Sequence, residues 1–133
     1  MIRIFEIINW IKSRLLTVVP SVSEYPLDFS GNLDSKRCAL FLDTMEETEE
    51  QSTHAEASFI IQVFFLGNQS DFQTFADSLL EAVDVAPNPP SFVVNWKVKR
   101  IRFNPDPQGS GWFMELLLWV HFIKDSKFFK RGG

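Results

Sequence analysis

Residues 54–66 read His54-Ala-Glu-Ala-Ser-Phe-Ile-Ile-Gln-Val-Phe-Phe-Leu66. Alternate positions from Ala55 to Phe65 are all apolar, whereas the positions between them begin polar and end apolar. This period-two alternation, rich in β-branched and aromatic residues, predicts a long β-strand with one face on a core. The mixed second face indicates that a small helix or another subunit covers part of it.

Helical periodicity is found on both sides of this strand. Residues 2–16 repeat isoleucine and leucine at helical spacing, and Pro20 ends the pattern because proline cannot continue a helix. After the strand, Ser70 and Gln73 form a capping-box pattern that predicts the start of a second helix. The apolar stripe of this second helix comprises Phe72, Phe75, Ala76, Leu79 and Val83.

Further strands are predicted before and after these elements. Residues 37–43 form a short strand, and residues 24–29 form a weak one that Pro26 places at a sheet edge. Residues 92–103 alternate with a one-residue slip, which predicts a β-bulge near Lys99 and Arg100. Residues 112–123 form the last strand, which is largely apolar on both faces.

The fold class is therefore α+β: a single domain with a mainly antiparallel sheet of about four to five strands and two helices packed on one face. We expect this domain to span residues 1–123, followed by a basic C-terminal arm at residues 124–133. The length of 133 residues suits one domain.

Charge is distributed unevenly along the chain. Residues 1–90 carry a net charge of −9 and residues 91–133 carry +5, which gives −4 for the 133 residues. Two interpretations remain open: solvated faces of different sign, or complementary surfaces for head-to-tail self-association. The single cysteine, Cys38, lies in an apolar run and is expected to be a small core residue.

Catalytic signatures are lacking in the sequence. The two histidines, His54 and His121, each lie at the polar edge of a strand pattern, where a histidine is usually structural. The acidic residues 44–53 lack the glycine and alternating ligands of a metal loop, so they predict a solvated hairpin loop. We therefore expect no enzyme activity, no cofactor and no metal, and the N-terminus has no signal-peptide pattern.

The element order, at this length, resembles that of the tail terminator proteins of long-tailed bacteriophages, also called tail completion or minor capsid proteins. The stretches that carry the resemblance are the opening helix at residues 4–16, the strand and acidic loop from residue 37, the strand and helix of residues 55–83, and the closing hairpin at residues 92–123.

This resemblance implies a structural virion protein that forms a ring, expected to be a hexamer, on the head-proximal end of the tail tube. The ring stops tube growth and joins the tail to the head, and DNA passes through its lumen without being held. The implied partners are further copies of the chain, the tail tube protein and a head-completion or connector protein. The chain is expected in the virion after synthesis in the host cytoplasm, with no membrane partner.

Three groups of residues are candidate sites under this interpretation. The acidic loop is expected to face the lumen, the tip of the last hairpin to dock on a partner, and a set of strand residues to form the inter-subunit surface. The acidic loop comprises Glu46, Glu47, Glu49 and Glu50; the hairpin tip Asn104, Asp106, Gln108 and Ser110; the inter-subunit surface Phe64, Trp96, Lys97, Lys99, Phe113 and Trp119. The alternatives are another phage neck, head-completion or tail-tube subunit, a small ligand- or peptide-binding module, and a weak enzyme using either histidine.

Overall fold

The computed structural model describes residues 2–27, 36–48, 51–105 and 111–124. These residues form two helices and four strands in the order α1 (Ile2–Leu15), β1 (Lys36–Thr48), β2 (Gln51–Leu66), α2 (Gln69–Asp84), β3 (Val93–Pro105) and β4 (Gly111–Ile123). The strands form one antiparallel sheet in the order β1-β2-β4-β3. The α+β prediction is confirmed.

Strand β2 lies inside the sheet, between β1 and β4. Its alternate residues Ala55, Ala57, Phe59, Ile61 and Val63 are all at most 1% exposed. They pack in one core cluster with residues of both helices, so both helices cover the same face of the sheet. The period-two pattern of this stretch therefore gave the correct strand and the correct buried face.

An apolar stripe determines which side of α2 is buried, and an N-cap residue determines where the helix begins. In α2 the predicted stripe is buried as expected. However, the helix starts earlier than Ser70: the side chain of Asn68 accepts a hydrogen bond of 2.8 Å from the backbone N–H of Asp71. Asn68 is thus the N-cap and the capping-box prediction at Ser70 is wrong, because asparagine satisfies an unpaired amide of the first turn equally well.

The β-bulge predicted near Lys99 and Arg100 is confirmed by a register shift between Val98 and Arg100. The extra residue restores the apolar side chains of β3 to the face that carries the helices, since Val98 lies opposite Leu118 and Ile101 lies opposite Leu116. The basic side chains beyond the bulge consequently point to the other face.

The prediction of a solvated loop over residues 44–53 is wrong. Strand β1 continues to Thr48 and β2 begins at Gln51, with Glu46 opposite Glu56 and Glu47 opposite Ala55. The polar composition suggested a loop, but β2 offers a long row of backbone donors and acceptors to β1. Pairing with β2 overrides the weak intrinsic strand preference of these polar residues. Glu49 and Glu50 lie outside the described residues.

The segment before β1 protects the edge of the sheet. Ser23 forms a parallel bridge to Ala39, with hydrogen bonds to the Cys38 carbonyl (2.9 Å) and from the Leu40 amide (2.8 Å). The predicted strand at residues 24–29 is absent as far as Leu27, and residues 28–29 lie outside the described part. Cys38 is buried in the core, as predicted, and burial raises the pKa of its thiol to about 12.

Candidate interaction surface

The face of the sheet opposite the helices, the open face, is built from alternate residues of all four strands. The register places Phe41, Ile60 and Leu117 in one row across three strands. Trp119 and Phe113 lie on the same side of β4, with Glu115 between Phe113 and Leu117, and all five apolar side chains are only partly buried. The open face therefore has an apolar centre that water reaches, as expected for a surface that contacts another molecule.

Positive charge is concentrated on the β3 side of the open face. Lys97, Arg100 and Arg102 lie opposite Trp119, Leu117 and Glu115 of β4. All three basic side chains are exposed. The apolar centre is thus bordered by a basic edge strand.

Negative charge is found on the other side of the same face. Glu46 of β1 and Glu56 of β2 are directly opposite each other, and Glu56 is also opposite His121 of β4. Like charges at facing positions of neighbouring strands are destabilising. The open face is therefore electrically asymmetric, with a repulsion at its acidic end that a basic partner would relieve.

Trp119 links the apolar centre to the basic edge. The Nζ atom of Lys99 lies 5.2 Å from the centroid of the Trp119 indole ring, a cation–π contact. The indole Nε1 of Trp119 is buried and has no hydrogen-bond partner among the described residues. Buried N–H groups normally have an acceptor, so this unpaired donor is an exception among the described residues.

The two histidines meet on the open face. His54 Nδ1 and His121 Nε2 are 2.9 Å apart, within hydrogen-bonding distance. Sequence reasoning treated each histidine separately and missed this pair; only the β2–β4 register brings them together. Among the described residues, no three His, Cys, Asp or Glu side chains are grouped so that they could hold a metal ion.

Five of the six residues predicted for the inter-subunit surface point to the open face: Phe64, Lys97, Lys99, Phe113 and Trp119. Phe64 is nevertheless covered within the single chain, because its side chain is 0% exposed. Its ring packs against Phe113, with centroids 5.0 Å apart. Strand alternation alone could not distinguish this covered aromatic from its exposed neighbours.

Trp96, the sixth of these residues, is on the other side of the sheet. It lies on the helix-bearing face, where its ring meets Trp10 edge-on with centroids 5.0 Å apart. Its indole Nε1 donates a hydrogen bond of 3.3 Å to the Asp84 carbonyl at the end of α2. Trp96 therefore attaches the helices to β3 and does not share a surface with Lys97.

The remaining candidates are only partly described. Glu46 is exposed, whereas Glu47 forms an ion pair of 3.0 Å with the Nζ atom of Lys124. Asn104 belongs to the exposed end of β3 and lies opposite Phe113. Asp106, Gln108 and Ser110, predicted for the hairpin tip, lie outside the described residues. Neither described helix is long and apolar enough to span a membrane.

Comparison with known proteins shows a similarity of fold. The sequence matches no protein-family model and no curated protein. The fold is similar to a chain in a structure described as the virion of a native gene transfer agent particle, with a TM-score of 0.61 and 14% sequence identity. The alignment covers 86% of this chain and 84% of that chain, so the two share nearly the whole fold.

Proposed function

We propose that this chain is a structural, non-enzymatic subunit of a phage-type virion, and specifically a tail terminator that assembles into a ring, expected to be a hexamer, at the head-proximal end of the tail tube. The observation that carries the proposal is the open face: an apolar centre between a basic and an acidic side, on a fold shared with a virion chain. The layout similar to tail terminators supports the finer assignment.

The charge pattern favours head-to-tail contact. When a basic edge of one copy meets an acidic region of the next, each subunit uses two different surfaces, which defines a heterologous interface. Such an interface generates a closed ring if its rotation closes and an open filament if it does not. Glu56 is suited to receive the Arg100 side chain of a neighbour.

Passage of DNA requires a lumen that does not hold phosphate. Carboxylates repel the DNA backbone, whereas clustered lysine and arginine bind it through counterion release. We therefore propose that the acidic end of the β1–β2 hairpin, from Glu46 to Glu50, faces the lumen. Glu47 forms an ion pair with Lys124, whereas Glu46 is exposed.

Oligomeric state tests the ring directly. Native mass spectrometry and sedimentation velocity of the full chain, over a roughly hundredfold concentration range, should detect one closed oligomer that does not grow further. Arg100→Glu should weaken it, whereas Lys12→Glu on α1, a reversal of the same charge away from the open face, should not. Open-ended growth would instead indicate a tail-tube subunit.

A ring that forms only on the tube end would escape this measurement, so a second experiment is needed. Deleting the coding sequence from the producing genome should leave filled heads beside free tail tubes of unregulated length, as seen by electron microscopy. Normal joined particles without the chain would contradict the terminator assignment.

A further inference from the structure

A groove of about 300 Å³ lies on the helix-bearing side, between α2 and the hairpin of β3 and β4. Its apolar lining comprises Phe72, Ala76, Leu80, Phe103 and Trp112, and its polar lining Gln69, Gln73 and Asp77. The Phe72 ring stacks on Trp112 at 5.5 Å and meets Phe103 edge-on at 5.9 Å. Phe103 nevertheless remains 51% exposed. The groove therefore has an aromatic floor that its own chain leaves open to solvent.

The helix that forms one wall of this groove is acidic, and its Asp77 lines the groove. Helix α2 carries Asp71, Asp77, Glu81 and Asp84 and contains no lysine or arginine. The basic side chains of β3 point to the opposite face of the sheet. A ligand that suits this groove combines aromatic side chains with flanking positive charge.

The chain itself contains a segment of that composition. After Lys124 the sequence continues Asp-Ser-Lys-Phe-Phe-Lys-Arg, so Phe128 and Phe129 lie between Lys127 on one side and Lys130 and Arg131 on the other. A cavity of about 150 Å³ holds one benzene ring. The groove volume of about 300 Å³ thus has room for both phenyl rings.

The segment cannot reach the aromatic floor of the groove in its own chain. Lys124 lies at one end of the sheet, where its amide bonds to the Thr53 carbonyl, whereas Phe103 of the groove floor is opposite Met114 near the other end. Ten residues of strand separate Met114 from Lys124, a distance of about 33 Å. Phe129 follows Lys124 by five residues, which span at most about 18 Å when fully extended.

We propose that residues 127–131 of one copy dock in the groove between α2 and β3 of a second copy. Both phenyl rings enter the groove, and the flanking basic side chains lie near Asp77 of its lining. Because the segment and the groove are different surfaces, this contact is heterologous and links copies head to tail. It rests on the self-association proposed above and names one contact through which that association occurs.

The test measures peptide binding separately from assembly. A fluorescein-labelled peptide of residues 124–131 is titrated by anisotropy against the full chain carrying Phe128→Ala and Phe129→Ala, so that no second copy's segment competes. We expect saturable binding that weakens as salt is added. A peptide with both phenylalanines replaced by alanine should not bind.

Substitutions in the groove lining test whether the peptide binds there. Phe103→Ala removes an exposed wall and should weaken binding at least tenfold, and Asp77→Lys should weaken it several-fold through charge reversal. Asp84→Lys, the same reversal on the same helix outside the groove lining, is the matched control and should bind within about twofold of the parent. Circular dichroism of each variant confirms that the fold is retained.

Three outcomes overturn this inference: no saturable binding, equal binding by the Phe103→Ala variant, or equal weakening by Asp77→Lys and Asp84→Lys. A chain with both phenylalanines replaced that still forms the same oligomer also overturns it, yet leaves the proposed ring intact. Conversely, peptide binding at the groove in a chain that never joins a tail tube would support the contact and contradict the terminator function.

Discussion

Phe64 provides the sharpest test of how the open face is built. Sequence reasoning assigned it to a subunit interface, whereas in the structure its side chain is 0% exposed within a single chain. Replacing a fully buried phenylalanine by alanine removes about 3–5 kcal/mol from the free energy of unfolding. For a chain of 133 residues, whose unfolding entropy is about 0.28 kcal/mol per kelvin, a loss of 4 kcal/mol lowers Tm by about 14 °C.

The measurement is urea unfolding of the Phe64→Ala variant, monitored by circular dichroism at two protein concentrations. Phe113→Ala is the matched control, because Phe113 contacts the same ring but is only partly buried. We expect the loss for Phe113→Ala to be about half as large. If Phe64→Ala costs less than about 1 kcal/mol, or costs more only at the higher concentration, then the residue acts between subunits and its burial within the single chain is refuted.

Two further predictions concern Cys38 and the start of α2. The thiol pKa of Cys38 rises from 9.0 to about 12 on folding, so the unfolded thiol ionises first and stability falls above pH 9. Between pH 8 and pH 10 the parent chain should lose about 1.4 kcal/mol more than Cys38→Ala in urea unfolding, and equal losses would contradict the burial argument. Asn68→Ala should cost about 1 kcal/mol through the lost cap, whereas Ser70→Ala should cost under about 0.5 kcal/mol; the reverse order would restore Ser70 as the cap.

Much of the architecture was predictable because it follows from local periodicity. The alternation around Phe59 and the helical stripe around Leu79 each record which side of an element faces the core, and the structure buries both sets. The bulge near Lys99 was predictable for the same reason, since a change of phase in the alternation requires an inserted residue.

Features that depend on pairing between distant segments were not predictable. The extension of β1 through Glu46 requires β2 as a partner, and the contact between His54 and His121 exists only in one register of β2 and β4. The choice between Asn68 and Ser70 as N-cap was a competition between two equally suitable residues. Sequence reasoning also missed the groove floored by Phe103, because no single element contains it.

The bridge from Ser23 to Ala39 makes the two outer strands of the sheet unequal. One border has its backbone groups occupied at Cys38 and Leu40, whereas the β3 border carries bulges and several positive charges. Bulges and lysine-rich borders are among the devices by which proteins avoid unwanted strand addition. Addition of a strand from another copy is therefore disfavoured at both edges of the sheet, by different means. Association between copies must then occur through side chains and not through backbone pairing.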